Sequence, residues 1–190
     1  RKVFFMAHQL SFTGGLADMA YAGQVPWHGL GQKVEADASI EEWMAQANME
    51  WEIKNSPVMY QNGEMHEAPE YRVLYRSDTN AHLSVVSDRY KVVEPKQMME
   101  FFRSLVDAEG FTIETLGSLK GGRRIWSLAK TNIEDTIRGG DLIKGYLLLI
   151  TSCDGSLATT AKFISTRVVC WNTQAIALGE AGQEVRVRHN

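Results

Sequence analysis

Between Glu94-Pro95 and Gly110 the chain carries its clearest helix signal, and most of what surrounds that stretch alternates as strands do. Proline suits the first helical position, where its missing N–H has no partner to lose, and glycine is favoured just past the last turn. Inside these limits Met98, Phe102, Leu105 and Val106 make an apolar stripe at helical spacing, joined by Met99 and Phe101. Such a stripe must be buried against another element. The neighbouring segments supply strands, so a helix packed on a sheet is expected.

Tyr71 to Arg76 and Ala81 to Val86 flank the polar turn Ser77-Asp78-Thr79-Asn80, with Tyr71, Val73 and Tyr75 on one face and Arg72 and Arg76 on the other. Ser87 to Val93 continues in extended character. Upstream, Ser39-Ile40-Glu41-Glu42 reads as a capping box, and Ile40, Trp43, Met44 and Ala47 follow it at helical spacing, which predicts a helix over 39–49. Trp51 and Ile53 open a strand that ends near Pro57, and Asn62-Gly63 is a hairpin turn signal. Downstream, Phe111 to Leu116 and Arg124 to Lys130 flank a turn at Lys120-Gly121-Gly122. The unbroken run Gly145 to Ile150 predicts a strand buried on both faces. After a turn at Asp154-Gly155 come a β-rich stretch over 161–171, a helix starting at Asn172, and the alternating tail Glu184 to Asn190. The expected fold is α+β: an antiparallel or mixed sheet packed by two or three helices, with the long one near 95–109.

The 190 residues are 44% hydrophobic and 23% charged, which suits a globular domain with a real core. No apolar run approaches the roughly 18 residues of a membrane span. Residues 1–24 read as an N-terminal extension, with Arg1 to Phe5 upstream of a start at Met6, and 25–190 as a single domain whose alternating tail stops abruptly, as if a longer chain continued. The expected location is the cytoplasm of a bacterial cell. Cys153 and Cys170 read as reduced, buried thiols. His8, His28, His66, His82 and His189 lack metal-ligand spacing, so neither metal nor cofactor is expected. Residues 1–70 hold four Lys/Arg against ten Asp/Glu, whereas 71–190 hold sixteen against thirteen.

Two runs invite a chemical reading. Val25-Pro26-Trp27-His28-Gly29-Leu30-Gly31 places an imidazole among residues that favour a rigid turn, and predicts a corner that packs Trp27. His28 or His82 as base, with Cys153 or Cys170 as nucleophile and Asn172 or Asp154 as orienter, would make an enzyme, although no surrounding motif supports one. The second run, Lys120-Gly121-Gly122-Arg123-Arg124, offers backbone amides among three cations, a combination that can hold phosphate. With Trp126, Lys130, Arg167, Arg186 and Arg188 it makes a cationic set with an interleaved aromatic, as single-stranded nucleic acid requires. Leu128 shares the strand face of Arg124, Trp126 and Lys130 and reads as core. The acidic first part, with Trp27, Trp43 and Trp51 as interface anchors, supports instead a factor that engages host or phage proteins.

Four ordered runs carry a family resemblance: Val25 to Gly31, Ser87-Asp88-Arg89-Tyr90-Lys91-Val92-Val93, Gly117 to Trp126, and Thr166-Arg167-Val168-Val169-Cys170-Trp171-Asn172-Thr173. Together they resemble the phage/plasmid-like family called domain of unknown function 932, from about Met6 to Asn190. Pro26, Trp27, His28, Gly29 and Gly31 are the signature residues, and Trp171 departs from the polar residue more usual at its position. The resemblance implies a mobile-element protein and supplies no catalytic residues. The order of elements is more distantly similar to phage single-strand annealing recombinases, which form a curved sheet backed by a helix and assemble as oligomers. The functional expectation is therefore a DNA-metabolism protein that binds single-stranded DNA and promotes annealing, with the protein-interaction factor as the alternative.

Overall fold

A computed structural model describes residues 8–136 and 142–188, with side chains described outside 134–143. Arg1 to Phe5 and His189 lie outside the described residues. A seven-stranded sheet organises the chain. Its centre is built from β8 (Thr112–Leu119), β9 (Arg124–Thr136), β10 (Leu142–Ser152) and β11 (Thr159–Ile164), joined antiparallel as successive hairpins. β12 (Glu184–Val187) adds to the β11 edge, and β3 (Met19–Tyr21) pairs with β8. β4 (Gln32–Lys33) then joins β3 in parallel, so the sheet is mixed. Of the residues expected to form an N-terminal extension, 10–21 belong to this fold. Leu10 bridges to Leu119, the short hairpin β1 (Phe12–Thr13) and β2 (Leu16–Ala17) follows, and Met19 and Ala20 are fully buried.

Both faces of the sheet are covered, which explains the unbroken apolar run in β10. Leu147 and Leu149 face a core shared with Ile125, Ala129, Trp43, Met99 and Phe102, whereas Tyr146, Leu148 and Ile150 face a second core with Trp126, Leu128, Val168 and Cys170. Helices α1 (Ile40–Gln46) and α2 (Pro95–Glu109) pack on the first face, and α3 (Trp171–Gly179) on the second. Each end of α2 is where its punctuation predicts: Glu94 and Gln97 form a reciprocal cap, and Gly110 adopts φ 67°. Met98, Met99, Phe102 and Val106 are buried, each of the large ones stabilising by about 1.5–3 kcal/mol. Phe101 is 54% exposed, outside that stripe. Ser39 caps α1 by accepting from Glu42 N–H at 3.2 Å.

β5 (Ile53–Asn62), β6 (Glu64–Arg76) and β7 (His82–Ser87) form a separate antiparallel sheet. Pro57 does not end β5, because it sits at a register shift where the ladder needs no donor from it. Ser87 to Val93 lies mostly beyond the strand, in turn and irregular backbone. The β-rich stretch after Thr159 is a strand only to Ile164; the chain then crosses the second face to α3. Trp43 and Trp51 are buried at 0% and 5% exposure, so neither anchors a surface contact.

A buried ion pair ties these parts together. The Arg76 guanidinium donates to Asp18 at 3.1 Å, to Asp78 at 3.0 and 2.7 Å, and to the Thr13 hydroxyl at 3.2 Å, and its carbon lies 4.5 Å from the Trp51 ring. Asp18 also accepts from Thr13 and Asn48. Burial pushes the Asp18 carboxyl up, and these hydrogen bonds and the Arg76 charge oppose that shift.

Candidate nucleic-acid interface

The β8–β9 turn projects its cations because its backbone is held internally. Lys120, Gly121 and Gly122 all adopt positive φ, at 55°, 71° and 96°. Lys120 N–H donates to Gln9 O at 2.9 Å and Gly122 N–H to the Ser11 hydroxyl at 3.0 Å. A side chain at Gly122 would meet Arg76 and Trp51 at 3.0–3.3 Å. The Gly122 amide is therefore spent inside the fold and does not reach a phosphate. Side chains carry the positive charge instead: the Lys120 ammonium sits 3.7 Å from the ring centre of Trp171, and the Arg124 guanidinium 4.7 Å from the same ring. Cations over an indole gain from its negative face, so Trp171 positions both. Sequence spacing hides this pairing across some fifty residues.

Trp126 does not take the aromatic role expected of it. It is 0% exposed, its Nε1–H donates to the Thr115 hydroxyl at 3.2 Å, and that hydroxyl donates to Val168 O at 2.7 Å. Gly117 lies beneath it, where a Cβ would stand 2.3 Å from the indole. A ring enclosed this way cannot stack on a base. Leu128, two residues further along β9, is core on the same face, so the ends of that row, Arg124 and Lys130, are the parts left half-exposed.

The remaining expected contacts lie elsewhere. Arg167 ion-pairs with Glu114 and donates to Ala22 O and Gln24 O at 3.3 and 2.7 Å, which staples the segment before α3 to the N-terminal strands. It lines a pocket of about 300 Å³ together with Lys130, Lys144 and Tyr146, apart from the β8–β9 turn. Arg186 and Arg188 are exposed on and after β12, where Arg186 pairs with Glu184 at 2.9 Å. The seven expected cations thus divide into three groups, with Lys120, Arg123 and Arg124 at the β8–β9 turn, while Trp126 belongs to the core.

The first signature run is a corner, as its proline and glycines predict. Gly29 N–H donates to Pro26 O at 2.8 Å, and Gly31, at φ 100°, approaches Met19 O where a Cβ would stand at 3.1 Å. Pro26 is buried, but Trp27 is 68% exposed and meets the rings of His8 and His28 in T-shaped contacts, at centroid distances of 4.8 and 5.3 Å. The corner presents the indole and does not pack it away. His28 fastens it: its Nδ1 accepts from Leu30 N–H at 3.1 Å, which leaves Nε2–H to donate to Val169 O at 3.1 Å. Burial first, and the nearby His8 and Arg167, lower its pKa against the opposing Val169 contact. With both nitrogens committed to backbone, the ring has no lone pair to offer as a base. Cys153 is buried and pushed up to about 12 by burial and nearby carboxylates. Cys170 is equally enclosed at the N-cap of α3, where Thr173 accepts from its N–H.

Two contacts link the Trp27 corner to the segments that carry Trp171 and Lys120. His28 bonds to Val169, two residues before Trp171, and Gln9, which follows His8, accepts from Lys120. Among the described residues no group of three or more His, Cys, Asp or Glu gathers as metal ligands, and no helix is long and apolar enough to cross a membrane. The family model described as Domain of unknown function (DUF932) matches residues 82–190, more than half of the chain. The chain belongs to the DUF932 family. The match takes in the second, third and fourth signature runs, and the Trp27 corner precedes it. Comparison with curated proteins and with solved structures returned no match.

Proposed function

We propose that this DUF932 protein binds single-stranded DNA on the surface formed by Lys120, Arg123, Arg124, Trp171 and Trp27. The carrying observation is the double cation contact on Trp171, which holds Lys120 and Arg124 together. Single-strand binding needs cations along the backbone and a ring on which a base can stack. Trp171 serves the first requirement by positioning charge, and Trp27 meets the second. Duplex DNA keeps its bases stacked inside, so the exposed indole favours the single strand.

Affinity for a labelled oligonucleotide tests the reading. Trp27→Ala removes a solvated ring and should weaken binding by about 1–3 kcal/mol, the usual worth of a base–aromatic stack. Lys120→Ala with Arg124→Ala should weaken it further, while Arg186→Ala with Arg188→Ala, away from the patch, should leave it unchanged. Equal effects from the two pairs would show a diffuse charge effect and overturn the assignment. Adding the complementary strand to the same mixture reports whether the bound strand is presented for annealing.

A further inference from the structure

We propose that the chain carries both halves of a head-to-tail contact between copies of itself: the tip of the β5–β6 ribbon on one copy, seated in the groove between α2 and β12 on the next. Residues 59–67 are all exposed, so the ribbon extends past the body with neither face covered. Met59, Tyr60 and Met65 are 48%, 53% and 60% exposed. The register sets Met59 opposite Glu67 and Gln61 opposite Met65, which gathers both methionines and one carboxylate on one face. Tyr60 stacks with His66 at 5.4 Å on the other. A two-stranded ribbon left bare in water is marginal, and flexible methionines suit an apolar cleft.

The groove has the matching character. It encloses about 320 Å³ and is lined mainly by apolar side chains, including Val93, Met98, Phe101 and Val187, with Lys91 and Arg188 at its rim and no carboxylate. Phe101 and Val187 are 54% and 60% exposed. The ribbon supplies the opposite charge: Glu64, Glu67 and Glu70, with no Lys or Arg between positions 55 and 71. Two ribbons repel one another, whereas ribbon and groove attract, so charge selects the heterologous pairing. Such a contact propagates from copy to copy into a ring or an open chain.

Sedimentation velocity on the purified protein, without nucleic acid and across a wide concentration range, tests this. The native chain should grow in size with concentration. Met65→Glu on the ribbon and Phe101→Glu in the groove, both at exposed positions, should each leave monomers. Mixed in equal amounts they should form a one-to-one dimer and nothing larger, because each retains one intact half. A native chain that stays monomeric, a variant that still self-associates as edge pairing through β12 would allow, or a mixture that remains monomeric would each overturn the proposal. The solvated pair Glu67→Lys and Lys91→Glu serves if an apolar-site variant fails to fold: each alone should leave monomers, and the mixture should grow with concentration, because the reversed charges match one another as the native ones do; a mixture that stays monomeric would overturn the proposal.

Discussion

Replacing Arg76 by Met keeps most of its aliphatic contact with Trp51 and removes the charge that Asp18 faces. The side chains of Arg76 and Asp18 are 3% and 0% exposed, so water cannot replace the lost partner. Breaking a buried pair from one side costs about 3–5 kcal/mol, because the other charge stays buried and uncompensated. In a domain of this size that is a melting-temperature drop of about 6–20 °C. Asp18→Asn should cost less, since Arg76 keeps both hydrogen bonds to Asp78. The double variant should be more stable than the sum of the two losses, as expected of directly coupled sites. Sign fixes the pH dependence. Without Arg76 one of the influences lowering the Asp18 pKa is gone, so the carboxyl is raised further in the folded state. A raised carboxyl is stabilising below its unfolded pKa and loses that contribution as pH rises. The deficit of Arg76→Met should therefore shrink between pH 7 and about 4. Urea unfolding at several pH values reads all of this. A loss below about 1 kcal/mol, or one that does not narrow on acidification, would refute the assignment of Asp18 as an uncompensated buried charge.

Two further expectations follow from the core and the corner. His28 is held neutral with a lowered pKa, so the unfolded chain takes the proton first; stability is complete above about pH 6.5 and declines as pH falls through the folded pKa. His28→Gln removes that titration, and a stability gap between the two proteins that stays constant from pH 8 to about 5 would contradict it. Gly117→Ala drives a methyl to 2.3 Å from the enclosed Trp126 ring, and should cost about 3 kcal/mol or more in thermal or urea unfolding. Adding Trp126→Leu should recover part of that loss; no recovery would place the strain elsewhere.

Punctuation and periodicity made much of this fold legible. Pro95 and Gly110 delimit α2, Ser39 caps α1, and the run Gly145 to Ile150 lies in a strand buried on both faces. Alternation alone cannot say which side of a strand is solvated, and that is where Trp126 misleads. It shares a face with Arg124, yet that face is closed by the crossing segment of Val168 and Cys170. The same long-range closure places Trp171 over Lys120 and Arg124, a contact that local spacing does not contain. Arg167 reads as a free cation by composition but is consumed by Glu114 and two carbonyls. Residues 10–22 carry weak local signals; Met19–Tyr21 become a strand because β8 offers an edge for them to pair with, and β1 and β2 pair with each other.

The salt dependence of oligonucleotide binding tests the central claim most directly. Each neutralised phosphate of a single strand contributes a slope of about 0.7 in log affinity against log salt. Lys120, Arg123 and Arg124 together predict a slope near 2, so affinity should fall about 20-fold between 50 and 200 mM salt. Lys120→Ala with Arg124→Ala leaves Arg123 alone, and its affinity should fall only about 2.5-fold over the same range. Parallel slopes for the native protein and the double variant would contradict the account, because the cations held on Trp171 would then not be the ones that meet the phosphates.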